Sequence, residues 1–428
     1  MTLLERLAEA RRTTDQLFDL VKPEARYKRP IAERHRIIFY VGHLEAFDWN
    51  LLHHRLPGLA PFDASLDRLF AFGIDPVDGK LPSDQPSDWP REDLVAAYAA
   101  RVRRELDGPL AEWNEPDAAQ LLNVAIEHRL MHVETLAYML HQLPLADKVA
   151  AHGAEVPVAT PPIDSAAVGI PAGAATLGRA TGEGFGWDNE FQPRITGVPA
   201  FSIHRYKVTN GQFLEFLRAG GYAERPLWDD AGWQWKEQHR IAHPAFWTPR
   251  GDSFRLRTMF DEVPLPLEGP AWVSHAEASA YCNWRGCRLP TEAEWHRAAY
   301  GAPRGAEREY PWGQEYPAPV HGYSSMRRWD PIDVHAAPAG ASAWGVQGLL
   351  GNGWEWTSTV FAPLPGFQPF PFYPGYSADF FDGRHYVLKG GSPLTEASML
   401  RRSFRNWFQP HYQYVYAGFR CAGSATSC

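Results

Sequence analysis

Residues 150–167 read AAHGAEVPVATPPIDSAA, and this stretch decides how the rest of the chain divides. It carries no apolar period, and its alanines and prolines mark a connection rather than an element. On its N-terminal side the pattern is helical; on its C-terminal side short strand-like runs alternate with glycines. We therefore expect an α+β protein with a helical domain over residues 1–150, a linker over 151–167 and a second domain over 168–428. A chain of 428 residues fits two cores better than one.

Moving toward the N-terminus, residues 118–143, 91–106 and 34–52 (RHRIIFYVGHLEAFDWNLL) each place apolar side chains at helical spacing. Ser87 or Asp88, with Pro90 just beyond, predicts the N-cap of the second of these. Residues 1–20 predict an amphipathic helix with Leu3, Leu4, Leu7, Leu17 and Leu20 roughly on one face. Four helices are the count for a bundle, a fold that commonly holds metals between facing helices.

Toward the C-terminus, strands and turns dominate: IPAGAATLGR (170–179), FSIHRYKVT (201–209), HYVLKGG (385–391) and YAGFRCA (416–422) are short and lie beside glycines. One helix stands out at 274–284, opened by the capping box Ser274-x-x-Glu277. Aromatic residues make up 13% of the chain and crowd this half. Among so many glycines and prolines they suggest loops pinned by large side chains.

Composition narrows the function. The net charge of −8 argues against a general nucleic-acid binder, which carries a basic footprint. No apolar run approaches the roughly 20 residues of a membrane span, and the N-terminus lacks a cleavable leader pattern. Four cysteines are too few for a disulfide scaffold, so a reducing cytoplasm is the expected location.

His128 and His132 lie four apart in EHRLMHVETLAYML (127–140), so both imidazoles can reach one ion from one helix face. With 17 histidines in the chain, chance supplies roughly 0.6 such pairs, and spacing alone proves little. HRIAH (239–243) is a decoy of the same kind, without a carboxylate or third histidine nearby. The first pair has better company. Glu134 is a candidate orienter of an imidazole, and His43 sits on another helix, among Ile37, Ile38, Val41, Leu44 and Phe47. A lone buried histidine is more often a hydrogen-bonded core residue. Three from two helices, however, would leave coordination positions open for substrate. On these residues alone zinc fits as well as iron.

The C-terminal half resembles the formylglycine-generating-enzyme/sulfatase-modifying-factor fold, a C-type-lectin-like architecture. The resemblance rests on YKVTNGQF (206–213), AEASAYCNW (276–284), RLPTEAEWHRAAYG (288–301), YPWG (310–313), GNGWEWTS (351–358), LKGGS (388–392) and AGFRCA (417–422). Trp354, Trp356 and the Gly-Gly pair in these motifs are expected to hold loops together. The N-terminal half, with its early-helix histidine and HRLMHVE (128–134), looks like a DinB-type four-helix bundle. The two together are similar to the sulfoxide synthases of ergothioneine and ovothiol biosynthesis, a family that uses iron(II) and O2 to join sulfur to a histidine-derived imidazole.

That resemblance implies iron ligation by His43, His128 and His132. It places the family's proton- or hydrogen-donating tyrosine in FYPGYS (372–377), at Tyr373 or Tyr376, and substrate contacts at Asn406 and Trp407. An amide can bond an imidazole nitrogen, and an indole face suits a trimethylammonium group. Members that take gamma-glutamylcysteine carry an acidic residue just after RNW and an arginine shortly beyond; here Phe408 and Tyr412 stand there. Met131 replaces a glutamine before the third histidine. The donor is therefore expected to be something other than that dipeptide. GHLEAFDWN (42–50), HRLMHVE and FRNWFQPHY (404–412) most resemble the selenoneine-synthase branch, which implies hercynine and a selenosugar as substrates. The rival expectation is hercynine with cysteine or another small thiol. Two further classes are a formylglycine-generating oxidase and a non-catalytic lectin-like binding module. The oxidase would need a reactive cysteine pair, whereas Cys282 and Cys287 flank a helix end, Cys421 falls in an expected core strand and Cys428 ends the chain. Tyr98 with Arg101, Arg103 and Arg104 reads as a solvated helix face or as donor-pocket lining.

Overall fold

The computed structural model describes residues 1–71, 73, 81–149, 166–304 and 306–424. Most of the expected linker and Cys428 lie outside the described residues. The chain divides into two compact units, Met1–Gly153 and Ala154–Cys428. No helix among the described residues is long and apolar enough to cross a membrane.

The first unit is helical: α1 (Leu3–Asp19), α2 (Ile37–Leu52), the short α3 (Ala64–Leu69), α4 (Glu92–Glu112) and α5 (Ala118–Gln142). α1 starts with a capping box in which Thr2 and Glu5 each accept the other's backbone N–H. Its buried residues Leu7, Ala10, Thr14, Leu17 and Phe18 recur every three or four positions and face α5. Leu3, Leu4 and Leu20 are only half-buried. In α2, Ile37, Ile38, Phe39 and Tyr40 are buried in succession, the mark of a helix covered on all sides. It packs on both α4 and α5.

One expectation here is corrected. Neither Ser87 nor Asp88 caps α4. Residues Pro86–Asp88 form a separate 3-10 turn, in which the Asp88 carboxylate accepts the Gln85 N–H at 2.7 Å. Trp89 and Pro90 then pass before the helix begins, and its N-cap, Arg91, makes no side-chain capping bond. Glu92 and Asp93 in the first turn suit the helix dipole instead.

The second unit is mixed. In chain order it runs β1 (Ala167–Ile170), β2 (Gly173–Leu177), β3 (Arg194–Val198), β4 (Phe201–His204), α6 (Asn210–Arg218), α7 (Asp230–His239), β5 (Trp247–Arg250), β6 (Ser253–Arg257) and β7 (Glu262–Pro264). There follow α8 (His275–Arg285), α9 (Glu292–Tyr300), β8 (Trp354–Val360), α10 (Gly375–Ala378), β9 (Tyr386–Lys389), β10 (Asn406–Phe408), β11 (Ala417–Gly418) and β12 (Ala422–Ser424). The sheets are small: β1-β4-β12, β10-β9-β8-β11, β5-β6-β7 and the pair β2-β3. α9 packs on β2, β3, β8 and β9, and its Trp295 and Tyr300 join Phe201, Ile203 and Leu349 in one core.

The sequence reading singled out one helix in this unit, and α8 does carry the Ser274–Glu277 capping box. It passed over α6, α7 and α9. Two of these open with the same device, Thr209 with Gln212 and Thr291 with Glu294.

Long irregular segments are fixed from within by buried polar groups. Arg420 pairs with Glu355 at 2.6 Å, both fully buried, and Trp356 donates its indole N–H to the Val273 carbonyl at 2.8 Å. Gly351 adopts φ +79°, and an added Cβ would lie 2.2 Å from the Tyr323 carbonyl oxygen. Only glycine fits that turn.

Candidate metal centre

α2 presents His43 and α5 presents His128 and His132, one helical turn apart. All three are buried. The Nε2 atom of His132 lies 3.2 Å from that of His43 and 3.2 Å from that of His128. Each residue thus offers one ligand atom to a common point. His43 approaches the Phe70 carbonyl through Nδ1 at 2.7 Å. A carbonyl only accepts, so the His43 proton sits on Nδ1 and its Nε2 carries a bare lone pair. A proton on His132 Nε2 could serve only one of its two neighbours. A shared cation at that point would satisfy both contacts.

The surroundings favour neutral imidazole, the form that binds metal. Burial pushes all three histidines below their ordinary pKa, His43 to about 4. Aromatic rings wall the site. Phe47 stacks on His128 with ring centres 3.4 Å apart, and Phe39 stacks on His43 at 4.8 Å.

Arg129, next to His128, lies among four oxygens. It donates to Asp48 at 2.7 Å, Glu45 at 3.0 Å, the Leu44 carbonyl at 3.1 Å and Thr14 at 3.3 Å. Glu45 and Asp48 both follow His43 on α2, so this network ties α2 and α5 together. Arg103 adds a second bond to Glu45 at 2.6 Å and holds Asp15 on α1 at 2.7 Å. Tyr98 donates to Asp67 at 2.7 Å. Tyr98 and Arg103 therefore belong to the packed interior of the unit, while Arg101 and Arg104 are exposed.

One sequence expectation fails here. Glu134 does not orient an imidazole, because Nδ1 of His128 and of His132 has no hydrogen-bond partner. Two positions beyond His132, it points to a different side of α5. The decoy His239 and His243 do not even share a helix, since Arg240 takes a left-handed conformation and ends α7. The half-buried Met131 lies on α5 beside His132.

The second unit brings Tyr373, Tyr376 and Trp407 into one aromatic cluster. Tyr376 on α10 is buried and stacks on Trp187, ring centres 3.9 Å apart. Tyr373 lies 5.5 Å from Tyr376 and is more exposed. Trp407 on β10 meets Tyr376 edge-on at 5.4 Å and stacks on Phe361 at 4.2 Å. Asn406 turns its amide oxygen to the Trp407 N–H at 2.9 Å. Phe408 stacks face to face on Tyr412 at 5.0 Å. The Ser377 hydroxyl donates to the buried Asp188, which secures α10 beneath the two tyrosines. Trp187 and Asp188 were missed by the sequence reading. Nothing in their local pattern marks them, and only the fold brings them to α10.

Comparison with known proteins extends these observations. Residues 155–425 match the family model of the sulfatase-modifying factor enzyme 1-like domain. A hercynine oxygenase of Mycobacterium tuberculosis is 38% identical over 330 residues, covering 76% of each chain. One from Mycolicibacterium thermoresistibile is 33% identical over 434 residues, covering 98% of this chain and 94% of its own. An ergothioneine biosynthesis protein 1 of Neurospora crassa is 28% identical over 94% of this chain, which spans 55% of that longer protein.

Proposed function

The chain belongs to the ergothioneine sulfoxide synthase-like family with a sulfatase-modifying factor enzyme 1-like domain, and on that premise we propose that it couples a chalcogen to hercynine oxidatively. The single observation that carries this reading is the convergence of three buried imidazoles from α2 and α5, each offering one ligand nitrogen to a common point. Iron(II) held there would supply activation of dioxygen and favour the deprotonated chalcogen donor.

The chain's own residues set the rest. The aromatic faces around Trp407 suit the trimethylammonium group of hercynine, and the Asn406 amide suits its imidazole. Tyr373, more exposed than Tyr376, supplies the proton or hydrogen atom that directs the outcome toward coupling. Phe39, Phe47 and the other rings around the histidines keep bulk water from the ligand nitrogens.

The donor in this proposal is a selenosugar, joined to C2 of the imidazole. Supporting it is the face-to-face pair Phe408–Tyr412, at positions where relatives that use gamma-glutamylcysteine resemble one another in carrying opposite charges. An uncharged aromatic pair offers no partner to a dipeptide's charged ends and suits a sugar face instead. A second reading, with cysteine or another small thiol as donor, rests on the relatives named for ergothioneine biosynthesis.

Two measurements test this. Metal analysis of the purified protein should find about one iron per chain, lost in His43→Ala and retained in His239→Ala. Iron-loaded protein should then be given hercynine, O2 and each donor separately. Selenium-containing product from the selenosugar alone supports the proposal. Turnover with cysteine alone replaces it with the second reading, and no turnover with any donor removes both.

A further inference from the structure

Three of the four cysteines come together in the second unit, two from one helix end and Cys421 from far along the chain, outside the clusters described above. Cys282 lies on the buried face of α8. The helix ends at Gly286, which takes φ +69° and turns the chain back, so that the Cys287 N–H reaches the Cys282 carbonyl at 2.9 Å. This left-handed exit is a Schellman-type stop, and it folds Cys287 against the last helical turn. The next residue, Arg288, exchanges two backbone hydrogen bonds with Ala422, at 3.0 and 2.8 Å. That bridge brings in Cys421, the neighbour of Ala422. The three sulfurs lie within 4.8 Å of one another, and none is in a disulfide.

We propose that Cys282, Cys287 and Cys421 form a second metal site, a three-thiolate cradle for a soft d10 cation such as zinc(II). Sulfurs around tetrahedral zinc sit about 3.8 Å apart, given Zn–S bonds of about 2.3 Å, so the observed spread closes with small side-chain movements. The scaffold is rigid, being a helix end and a strand joined by backbone bonds, and the ligands are pre-positioned as a good site requires. Soft thiolates select such ions over magnesium or calcium.

Three thiols packed this closely are the protonated form of such a site, and a cation that displaces their protons makes the same contacts more strongly. Cys282 and Cys421 are buried, and the half-buried Cys287 gives the ion its way in.

The test uses cadmium(II) as the probe on reduced, chelator-treated full-length protein under nitrogen. Thiolate-to-cadmium charge transfer absorbs in the ultraviolet, and imidazole ligands do not produce it, so the histidine triad stays silent. We expect a band that saturates at about one cadmium per chain. It should weaken on the order of 100-fold in apparent affinity in Cys287→Ser, while His43→Ala leaves it intact. Because Cys421→Ser and Cys282→Ser alter the core, Cys287→Ser is the primary variant, with circular dichroism confirming its fold. No band in the reduced wild type overturns the site, as does a band unchanged by Cys287→Ser. A disulfide between two of the sulfurs that resists reductant and leaves the band absent overturns it equally.

Discussion

Arg129 donates to Asp48 at 2.7 Å, with both side chains almost wholly buried. Arg129 follows the candidate ligand His128, and Asp48 lies on α2 five positions beyond the candidate ligand His43. The ion pair therefore fixes the spacing of the two helices that share the candidate metal. Burial alone would raise the Glu45 carboxyl, yet Arg129 and Arg103 outweigh it and bring it to about 2.

Removing the guanidinium should be severe. Arg129→Ala leaves Glu45 and Asp48 buried with less compensation, a loss of about 3–5 kcal/mol of stability. Urea unfolding measures it. Arg129→Lys keeps the charge but not the fork of donors and should recover only part. Iron affinity should fall along with stability in both. A variant as stable as wild type would show that the network is not a clamp.

Gly42 makes room for Phe70. A Cβ there would sit 2.4–2.5 Å from three carbons of the Phe70 ring, and the Phe70 carbonyl holds the His43 proton. Gly42→Ala should cost about 1–3 kcal/mol by overpacking and also weaken metal binding by tilting His43. Thermal unfolding and metal titration, run together, separate the two effects. Unaltered metal affinity would mean that Phe70 relaxes without moving its backbone.

Tyr373→Phe should slow coupling on the order of 100-fold, the lower end for a lost proton donor, and divert O2 into oxidation of the chalcogen donor. Tyr376→Phe keeps the stack on Trp187 and should leave the product ratio near wild type. Chromatography of both products gives the partition. If Tyr373→Phe leaves it unchanged, Tyr373 has no such role.

His275 gives a pH signature unrelated to the metal. It is buried and stacks on Tyr386 with ring centres 3.9 Å apart, and burial lowers its pKa to about 4. The unfolded chain takes up this proton near pH 6.5 and the folded one only near 4. Its stabilising contribution is therefore complete above 6.5 and declines as pH falls toward 4, by about 1.4 kcal/mol per unit in between. His275→Gln should flatten that slope relative to wild type in urea melts at pH 7.5 and 5. Parallel slopes would place the titration elsewhere.

How much of this was legible beforehand depends on distance along the chain. The i, i+4 pair His128–His132 could be read locally, and so could the Ser274–Glu277 helix start. The same capping signature at Thr209–Gln212 and Thr291–Glu294 was there to be read but was masked by surrounding aromatics and glycines. His43 was nominated by its apolar neighbours, yet its approach to His132 spans 89 positions and became visible only in three dimensions. Arg129 with its carboxylates, the Trp187–Tyr376 stack and the meeting of Cys282 and Cys287 with Cys421 are all long-range. No local pattern encodes them. The failed cap at Asp88 shows the opposite limit, where a sound local signal is used by a neighbouring turn instead.

The acceptor that fixes the His43 tautomer is main chain. No substitution at position 70 can delete a carbonyl oxygen, so evolution is free to rewrite that side chain while the ring keeps the same nitrogen facing inward. The setting of this ligand is inherited from the path of the backbone leaving α3, and it is lost only when that path shifts.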